Sequence, residues 1–188
     1  MNRATLLLLG VVIVLPIFAL AQNASKPYAG EQTRRIKTLS DEDIAAYLNG
    51  EGMGLAKAAE LNSYPGPRHV LQLAAPLRLT ERQTAETNRI YQRMHDEATR
   101  LGRLVVGKEK ELDALFAANK IDESKLAALT SEIALLQGSL RAAHLRAHLE
   151  MKRLLSAEQV KKYDELRGYQ SPDKPHAPGQ QHHGHGKN

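Results

Sequence analysis

Residues 80–118 decide the fold, and they read TERQTAETNRIYQRMHDEATRLGRLVVGKEKELDALFAA. Apolar residues recur in this stretch mostly three, four or seven positions apart, which is the spacing of one face of an α-helix. The pattern predicts one long amphipathic helix of about 60 Å, at 1.5 Å per residue. The residues that carry it are Ile90, Met94, Leu101, Leu104, Val105, Leu112, Leu115 and Phe116.

A second long helix follows after a short break at residues 119–122. Asp122 is the expected N-cap, and apolar residues from Leu126 to Leu154 repeat the helical spacing. Two long helices joined by so short a turn predict an antiparallel hairpin. One such hairpin leaves apolar surface uncovered, so short N-terminal helices or a second chain must cover it, and we expect a homodimer. The predicted fold class is therefore all-α.

Shorter helices are expected on both sides of the hairpin. Ser40 is the expected N-cap of the first, which ends at Gly50, and a second runs through residues 55–61. The turn at residues 64–67 must interrupt the chain, after which Pro67 starts a third. A last helix is predicted to start at Ser156 and to end at Gly168.

The two ends of the chain carry other signals. Arg3, an apolar run and a small-x-small site ending at Ala21 predict a secretory signal over residues 1–21, with retention as an anchor as the alternative. A disordered leader is expected over residues 22–38 and a disordered His-rich tail over residues 171–188, because neither is rich enough in apolar residues to form a core. These segments flank a helical domain over residues 39–170, which we expect to work in the periplasm.

Composition excludes several classes of function. The 188 residues contain no cysteine, so packing or a partner must hold an exported fold together without disulfides. The net charge of +5 is mild and the acids are interspersed, which does not indicate binding to nucleic acid. There is no activated nucleophile and no phosphate-cradling Gly loop, so we do not expect an enzyme, and no cofactor is required.

Two short motifs share one plan at the starts of two predicted helices. Residues 79–83 read Leu-Thr-Glu-Arg-Gln and residues 155–159 read Leu-Ser-Ala-Glu-Gln. In each, the hydroxyl caps a backbone N–H of the first turn while the Gln reaches back to the N-cap amide, and the preceding Leu packs onto the next turn. The residues that carry the motifs are Leu79, Thr80, Gln83, Leu155, Ser156 and Gln159.

This motif pair, separated by a helical hairpin, resembles the LTxxQ family of periplasmic proteins that includes Spy and CpxP and related heavy-metal resistance proteins. The resemblance covers about residues 73–169, with Ser156 where the family usually has Thr. It implies a helical, commonly dimeric, cradle-shaped protein. It also implies ATP-independent chaperoning or envelope-stress binding, with unfolded or envelope proteins as partners, or alternatively a heavy-metal sensor or buffer. A membrane-bound signalling partner is left open.

Arginines follow the apolar stripe of the first long helix along one flank. They fit a cationic rim around an apolar cradle for reversible capture of unfolded chains, or else a solvated edge whose stems pack along the seam. The residues of the predicted client-binding rim are Arg89, Arg93, Arg100 and Arg103.

Histidines carry the alternative, a metal site for Zn or Cu. His144 and His148 are four residues apart on one helical face, and His95 falls opposite them in an antiparallel hairpin, so three imidazoles are expected to approach one another. The alternative is that two surface histidines share a face by chance. One interpretation is that Met53 and His69 form a binding loop. The alternative is that the glycines beside Met53 only let the short helices pack closely. The predicted tail ligands, in a metal-scavenging or an inert tail, are His176, His182, His183 and His185.

Overall fold

The computed structural model describes residues 26–169 and consists of helices and their connections. Within those residues no strand forms, and the sole ladder-like contact is an isolated bridge between Ile36 and Leu39. None of the helices between residues 26 and 169 is both long and apolar enough for a membrane span. The helices are α1 (Asp41–Leu48), α2 (Lys57–Glu60), α3 (Pro67–Gln72), α4 (Glu81–Ala117), α5 (Glu123–Leu154) and α6 (Ala157–Arg167).

The long hairpin is confirmed. The Thr80 hydroxyl accepts a hydrogen bond from the amide of Gln83 at the start of α4, and Asp122 accepts one from the amide of Lys125 at the start of α5. Between the helices, Asn119 takes a left-handed conformation with φ of 53°, which turns the chain back on itself. The predicted bounds of both helices therefore agree with the structure to within a residue or two.

The paired Leu-x-x-x-Gln motifs meet in space, a contact that their capping role alone does not predict. Each Gln completes its own capping box, and the two side-chain amides also bond reciprocally: Gln83 Nε2 donates to Gln159 Oε1 at 2.8 Å, and Gln159 Nε2 donates to Gln83 Oε1 at 3.0 Å. Gln83 Nε2 further reaches the Leu154 carbonyl and Gln159 Nε2 the Leu77 carbonyl, both at 3.2 Å. We call this pair the Gln clasp; it ties the starts of α4 and α6 together.

The largest apolar core lies beside the Gln clasp. It joins α3, α4, α5 and α6, and Tyr163, Met151 and Val70 in it are fully buried. Leu155 and Val160 belong to the same cluster, as expected for a Leu that staples the first turn of α6. The open end of the hairpin is thus closed by α3 and α6.

Helix α1 packs across the middle of α4 at a glycine. A Cβ atom at Gly102 would lie 2.1 Å from the backbone carbonyl oxygen of Tyr47, so any larger residue would push the two helices apart. Just after α1, Gly50 has φ of 62° and ends the helix, as predicted. This close crossing fixes the position of the loop that follows α1.

Two expectations need correction. Residues 26–38, predicted to lie in a disordered leader, contain a turn of 3-10 helix at Glu31–Thr33, and Ile36 is buried against α1 and α4 because it pairs with Leu39 and Ile44. Helix α2 is only four residues long, whereas residues 55–61 were expected to be helical; Ala56, which has no capping side chain, precedes it. The predicted signal at residues 1–21 and the tail at residues 171–188 lie outside the described residues.

Candidate metal site

A cavity of about 340 Å³ lies beside the middle of the hairpin. The loop after α1, helix α2, the start of α3 and the facing sides of α4 and α5 form its walls. At about 30 Å³ per water molecule, it has room for an ion with several waters. Four imidazoles line this cavity, namely those of His69, His95, His144 and His148, together with the thioethers of Met53 and Met94.

The three histidines predicted to approach one another do line one cavity. His95 comes from α4, and His144 and His148 come from α5, so the antiparallel hairpin brings them to the same wall. They do not stand in ligand geometry, however, because no three His, Cys, Asp or Glu side chains between residues 26 and 169 are grouped closely enough to hold an ion. A metal ion would therefore have to draw these side chains inward by rotamer changes.

His144 has a buried nitrogen atom with nothing to bond. The residue is 3% exposed, and its Nε2 atom has no hydrogen-bond partner in the structure. Such a buried unpaired group costs about 1–3 kcal/mol and calls for a ligand or another explanation. Burial first, and the neighbouring His148 second, lower the pKa of His144 below its ordinary value, so the ring is held neutral and keeps a lone pair.

One ring nitrogen of His148 is hydrogen-bonded to the backbone, and the other is available to a ligand. Its Nδ1 donates to the Tyr64 carbonyl oxygen at 2.7 Å, which leaves Nε2 of a neutral ring as the atom with a lone pair. The Tyr64 loop is held in turn by Lys152, whose ammonium donates to the Ser63 carbonyl and lies 5.3 Å from the centre of the Tyr64 ring. Such outer contacts orient a histidine as a metal ligand.

The turn at residues 64–67 places a glycine against the His148 ring. A Cβ atom at Gly66 would lie 3.0 Å from His148 Cε1 and 3.2 Å both from His148 Nε2 and from Glu60 Oε2. Since Gly66 has ordinary extended backbone angles, glycine is needed there for space and not for conformation. The sequence Pro-Gly-Pro thus keeps the edge of the imidazole uncovered.

Glu60 is the cavity residue that sequence reasoning missed. Its side chain is 12% exposed, and its Oε1 accepts hydrogen bonds from the hydroxyls of Tyr163 and, at 3.0 Å, Tyr169. The same oxygen lies 3.3 Å from His69 Nδ1 and 3.6 Å from Arg167 Nε. No local pattern signals this role, because a lone Glu ends a four-residue helix and three of its partners lie more than 100 positions away.

The groups packed around Glu60, namely Tyr163, Tyr169, His69 and Arg167, have shifted pKa values. Burial and the adjacent Glu60 carboxylate raise the pKa of Tyr163 far above its usual range, so its hydroxyl keeps its proton and donates it to Glu60. Burial lowers the pKa of His69, helped by the positive charge of Arg167 and opposed by Glu60. The net effect of burial and Arg167 is to favour the neutral form of His69.

The methionines fall into two groups. Met53, with φ of 44° and 41% exposure, and the half-buried Met94 line the cavity, as does His69, the other residue of the predicted binding loop. Met151, one turn beyond His148, is fully buried in the core beside the Gln clasp and does not line the cavity. Among the methionines between residues 26 and 169, Met53 and Met94 are the ones placed to supply a sulfur ligand.

The predicted arginine rim is exposed, but its charge is largely paired. Arg89 bonds Glu86, Arg93 bonds Glu150 and Arg100 bonds Glu97, at 2.6–2.8 Å. Arg103 is exposed, and no ion pair involves it between residues 26 and 169. Three of the four arginines of the predicted rim are thus held in ion pairs at the surface of α4. The predicted tail ligands His176, His182, His183 and His185 lie outside the described residues.

Fold and cavity together define a class of protein: a cysteine-free helical hairpin with a histidine-lined cavity against one face. Residues 52–162, more than half of the chain, match the family model described as heavy-metal resistance. The chain belongs to the heavy-metal resistance family, which is part of the LTxxQ group. Neither the search of curated proteins nor that of solved structures gave a match.

The matched region covers the motif pair and most of the residues that line the cavity. It begins at Gly52, in the loop that forms one cavity wall, and runs through α5 into α6. The donors in this region suit a metal ion, since imidazole nitrogens and carboxylates are typical ligands of Zn, and imidazole also suits Cu. The buried, unpartnered Nε2 of His144 is the structural feature that such an ion would satisfy.

Proposed function

We propose that the protein binds one Zn²⁺ or Cu²⁺ ion per chain in this cavity, as a metal sensor or buffer of the periplasm. The ligands would be ring nitrogens of His95, His144 and His148. The observation that supports this proposal most directly is the buried Nε2 of His144, which is unpaired at the wall of a cavity lined by three further imidazoles. No catalytic step is part of this proposal.

The state of the two α5 histidines supports the proposal. Metal ligation needs neutral imidazole, and burial holds the pKa of His144 down. In His148, the bond from Nδ1 to a backbone carbonyl leaves Nε2 for the ion. His144 therefore needs no proton loss near neutral pH to accept a metal, and His95 would complete the set by a change of rotamer.

Titration calorimetry tests the proposal in the exported chain that is predicted to begin at Gln22. Replacing His176, His182, His183 and His185 with Ala first removes the tail ligands, so that the cavity is measured alone. We expect about one Zn²⁺ or Cu²⁺ per chain, and loss of that binding when His144 and His148 are also replaced with Ala. Absence of binding before the cavity substitutions would reject the proposal.

Client capture is a second candidate, favoured by exposed apolar side chains along the outer part of the hairpin. Leu135 is 72% exposed, Phe116 54% and Leu104 43%. A second copy of the chain or an unfolded client would cover them. The chaperone proposal predicts suppression of client aggregation without ATP or metal, and weaker suppression at low salt when Arg89, Arg93 and Arg100 are replaced together. Unchanged suppression would reject the role of the rim.

A further inference from the structure

Besides its packing in the apolar core, helix α6 makes polar contacts with the rest of the molecule at two places of different character. At its start, the Gln clasp bonds it through neutral amides. Towards its end, Tyr163 and Arg167 meet the Glu60 carboxylate, and Tyr169 just beyond the helix meets the same group. Only the second attachment depends on a charge that lies at the wall of the cavity.

The two carboxylate oxygens of Glu60 contact different parts of the molecule, the cavity and helix α6. Its Oε2 atom lies 3.6 Å from His148 Nδ1, on the cavity side, while Oε1 accepts the hydroxyls of Tyr163 and Tyr169. A cation that entered the cavity would attract this carboxylate strongly, because charges interact over several ångströms in a half-buried site. The same oxygen atoms cannot hold a cation and keep both tyrosine hydroxyls at full strength.

We infer that Glu60 couples the cavity to helix α6, so that a divalent cation in the cavity draws the Glu60 carboxylate away from Tyr163 and Tyr169 and loosens the end of α6. This inference rests on the proposed metal binding. Glu60 ends the four-residue helix α2, from which its side chain reaches both the cavity wall and the end of α6. Glu60 is thus a positioning residue, and its effect is measured as the stability of the end of α6.

The backbone offers a local reporter and an internal reference. The amides of Gly168 and Tyr169 bond the carbonyls of Glu165 and Asp164 at the end of α6, whereas the amide of Val160 bonds Ser156 beside the Gln clasp. Loosening at Glu60 should speed hydrogen exchange at the first two amides and leave the third unchanged. Mass spectrometry of peptides over residues 163–169 and 157–162 separates the two regions.

The experiment compares exchange with and without Zn²⁺ in the chain whose tail histidines are Ala. We expect Zn²⁺ to speed exchange at residues 168–169 by about tenfold, the effect of losing a hydrogen bond to a charged group. Binding without this change would overturn the inference and leave the metal proposal standing. Absence of binding in the calorimeter would overturn both.

Substitutions test the coupling without relying on metal. Glu60→Gln and Tyr163→Phe should each speed exchange at residues 168–169 in metal-free protein, and Zn²⁺ should then add little. Tyr163→Phe should still bind Zn²⁺, because the proposed histidine ligands are intact. Wild-type exchange in both variants would show that Glu60 does not hold α6 and would overturn the inference.

A matched glycine pair tests access to the carboxylate from the cavity. Gly66→Ala puts a methyl group within 3.2 Å of both His148 Nε2 and Glu60 Oε2, whereas a Cβ at Gly52, also on the cavity wall, meets nothing within 4 Å. We expect Gly66→Ala to weaken Zn²⁺ binding and the α6 response together, with Gly52→Ala resembling wild type. Equal α6 responses in the two variants would contradict the coupling.

Discussion

The Gln clasp and the histidine cavity are both polar sites beside the same hairpin, but they differ in how completely their groups are bonded. In the clasp, both side-chain amides donate and accept within 3.2 Å, with each other and with backbone groups. In the cavity, the buried Nε2 of His144 has no partner. Saturated polar networks hold a fold together, whereas an unpaired buried group is a cost that a ligand can relieve. The comparison assigns stability to one site and binding to the other.

The largest expected effect comes from separating α1 from α4, because this crossing positions the loop that forms one wall of the cavity. Gly102→Ala would force its methyl group to within 2.1 Å of the Tyr47 carbonyl oxygen, so we expect a loss of about 1–3 kcal/mol in the free energy of unfolding. Gly107→Ala is the control, because its Cβ meets nothing within 4 Å and Ala favours helix by about 0.5–1 kcal/mol. Urea unfolding measures both, and a Gly102→Ala protein as stable as Gly107→Ala would refute the close crossing.

The clasp is tested by a double-mutant cycle. Gln83→Leu and Gln159→Leu should each lower the free energy of unfolding by about 1–3 kcal/mol, because each breaks a capping box and removes one hydrogen-bond partner of the other amide. The double variant should cost less than the sum, with a coupling of about 0.5–3 kcal/mol. Gln92→Leu, at an exposed position of α4, is the control. Strict additivity would mean that the two amides do not act as a pair.

The cavity should respond in the opposite way. His144→Leu removes an unpaired buried polar atom, so we expect the metal-free protein to unfold within about 1 kcal/mol of wild type, or to be more stable. The same change should abolish metal binding in the calorimeter. A large loss of stability with retained binding would reverse the roles assigned to the two sites.

The smallest expected effect is a pH dependence. The folded-state pKa of His144 lies below the ordinary 6.5, so the unfolded state binds a proton first and stability falls as pH drops below about 6.5. His69 contributes with the same sign. His144→Leu should flatten this slope by at most about 1.4 kcal/mol per pH unit. If the unfolding free energies of wild type and His144→Leu ran parallel between pH 7 and 5, that result would argue against a neutral buried His144.

Local rules predict most of this fold. Capping residues, helical periodicity and left-handed turn positions are features of a few neighbouring residues, and α1, α4, α5 and α6 begin and end where those features place them. The packed segment at residues 26–38 was missed because Ile36 is buried by contacts with α1 and α4, which no local pattern announces.

The cavity was predictable in part for the same reason. The spacing of His144 and His148, with His95 opposite, follows from helix geometry and hairpin register, and all three line the cavity. Glu60 and Tyr163 meet across about 100 residues of chain, and Gly66 acts through the space it leaves for His148. Such contacts depend on how the elements dock, so they became visible only in three dimensions.

The most direct test of metal binding in the cavity is nitrogen NMR of the histidine rings during a Zn²⁺ titration of the chain whose tail histidines are Ala. We predict that Nε2 of His144 and Nε2 of His148 shift together, complete at one equivalent, with a ring nitrogen of His95 following them. His144 and His148 spectra unchanged at one equivalent, or shifts confined to other histidines, would contradict the account.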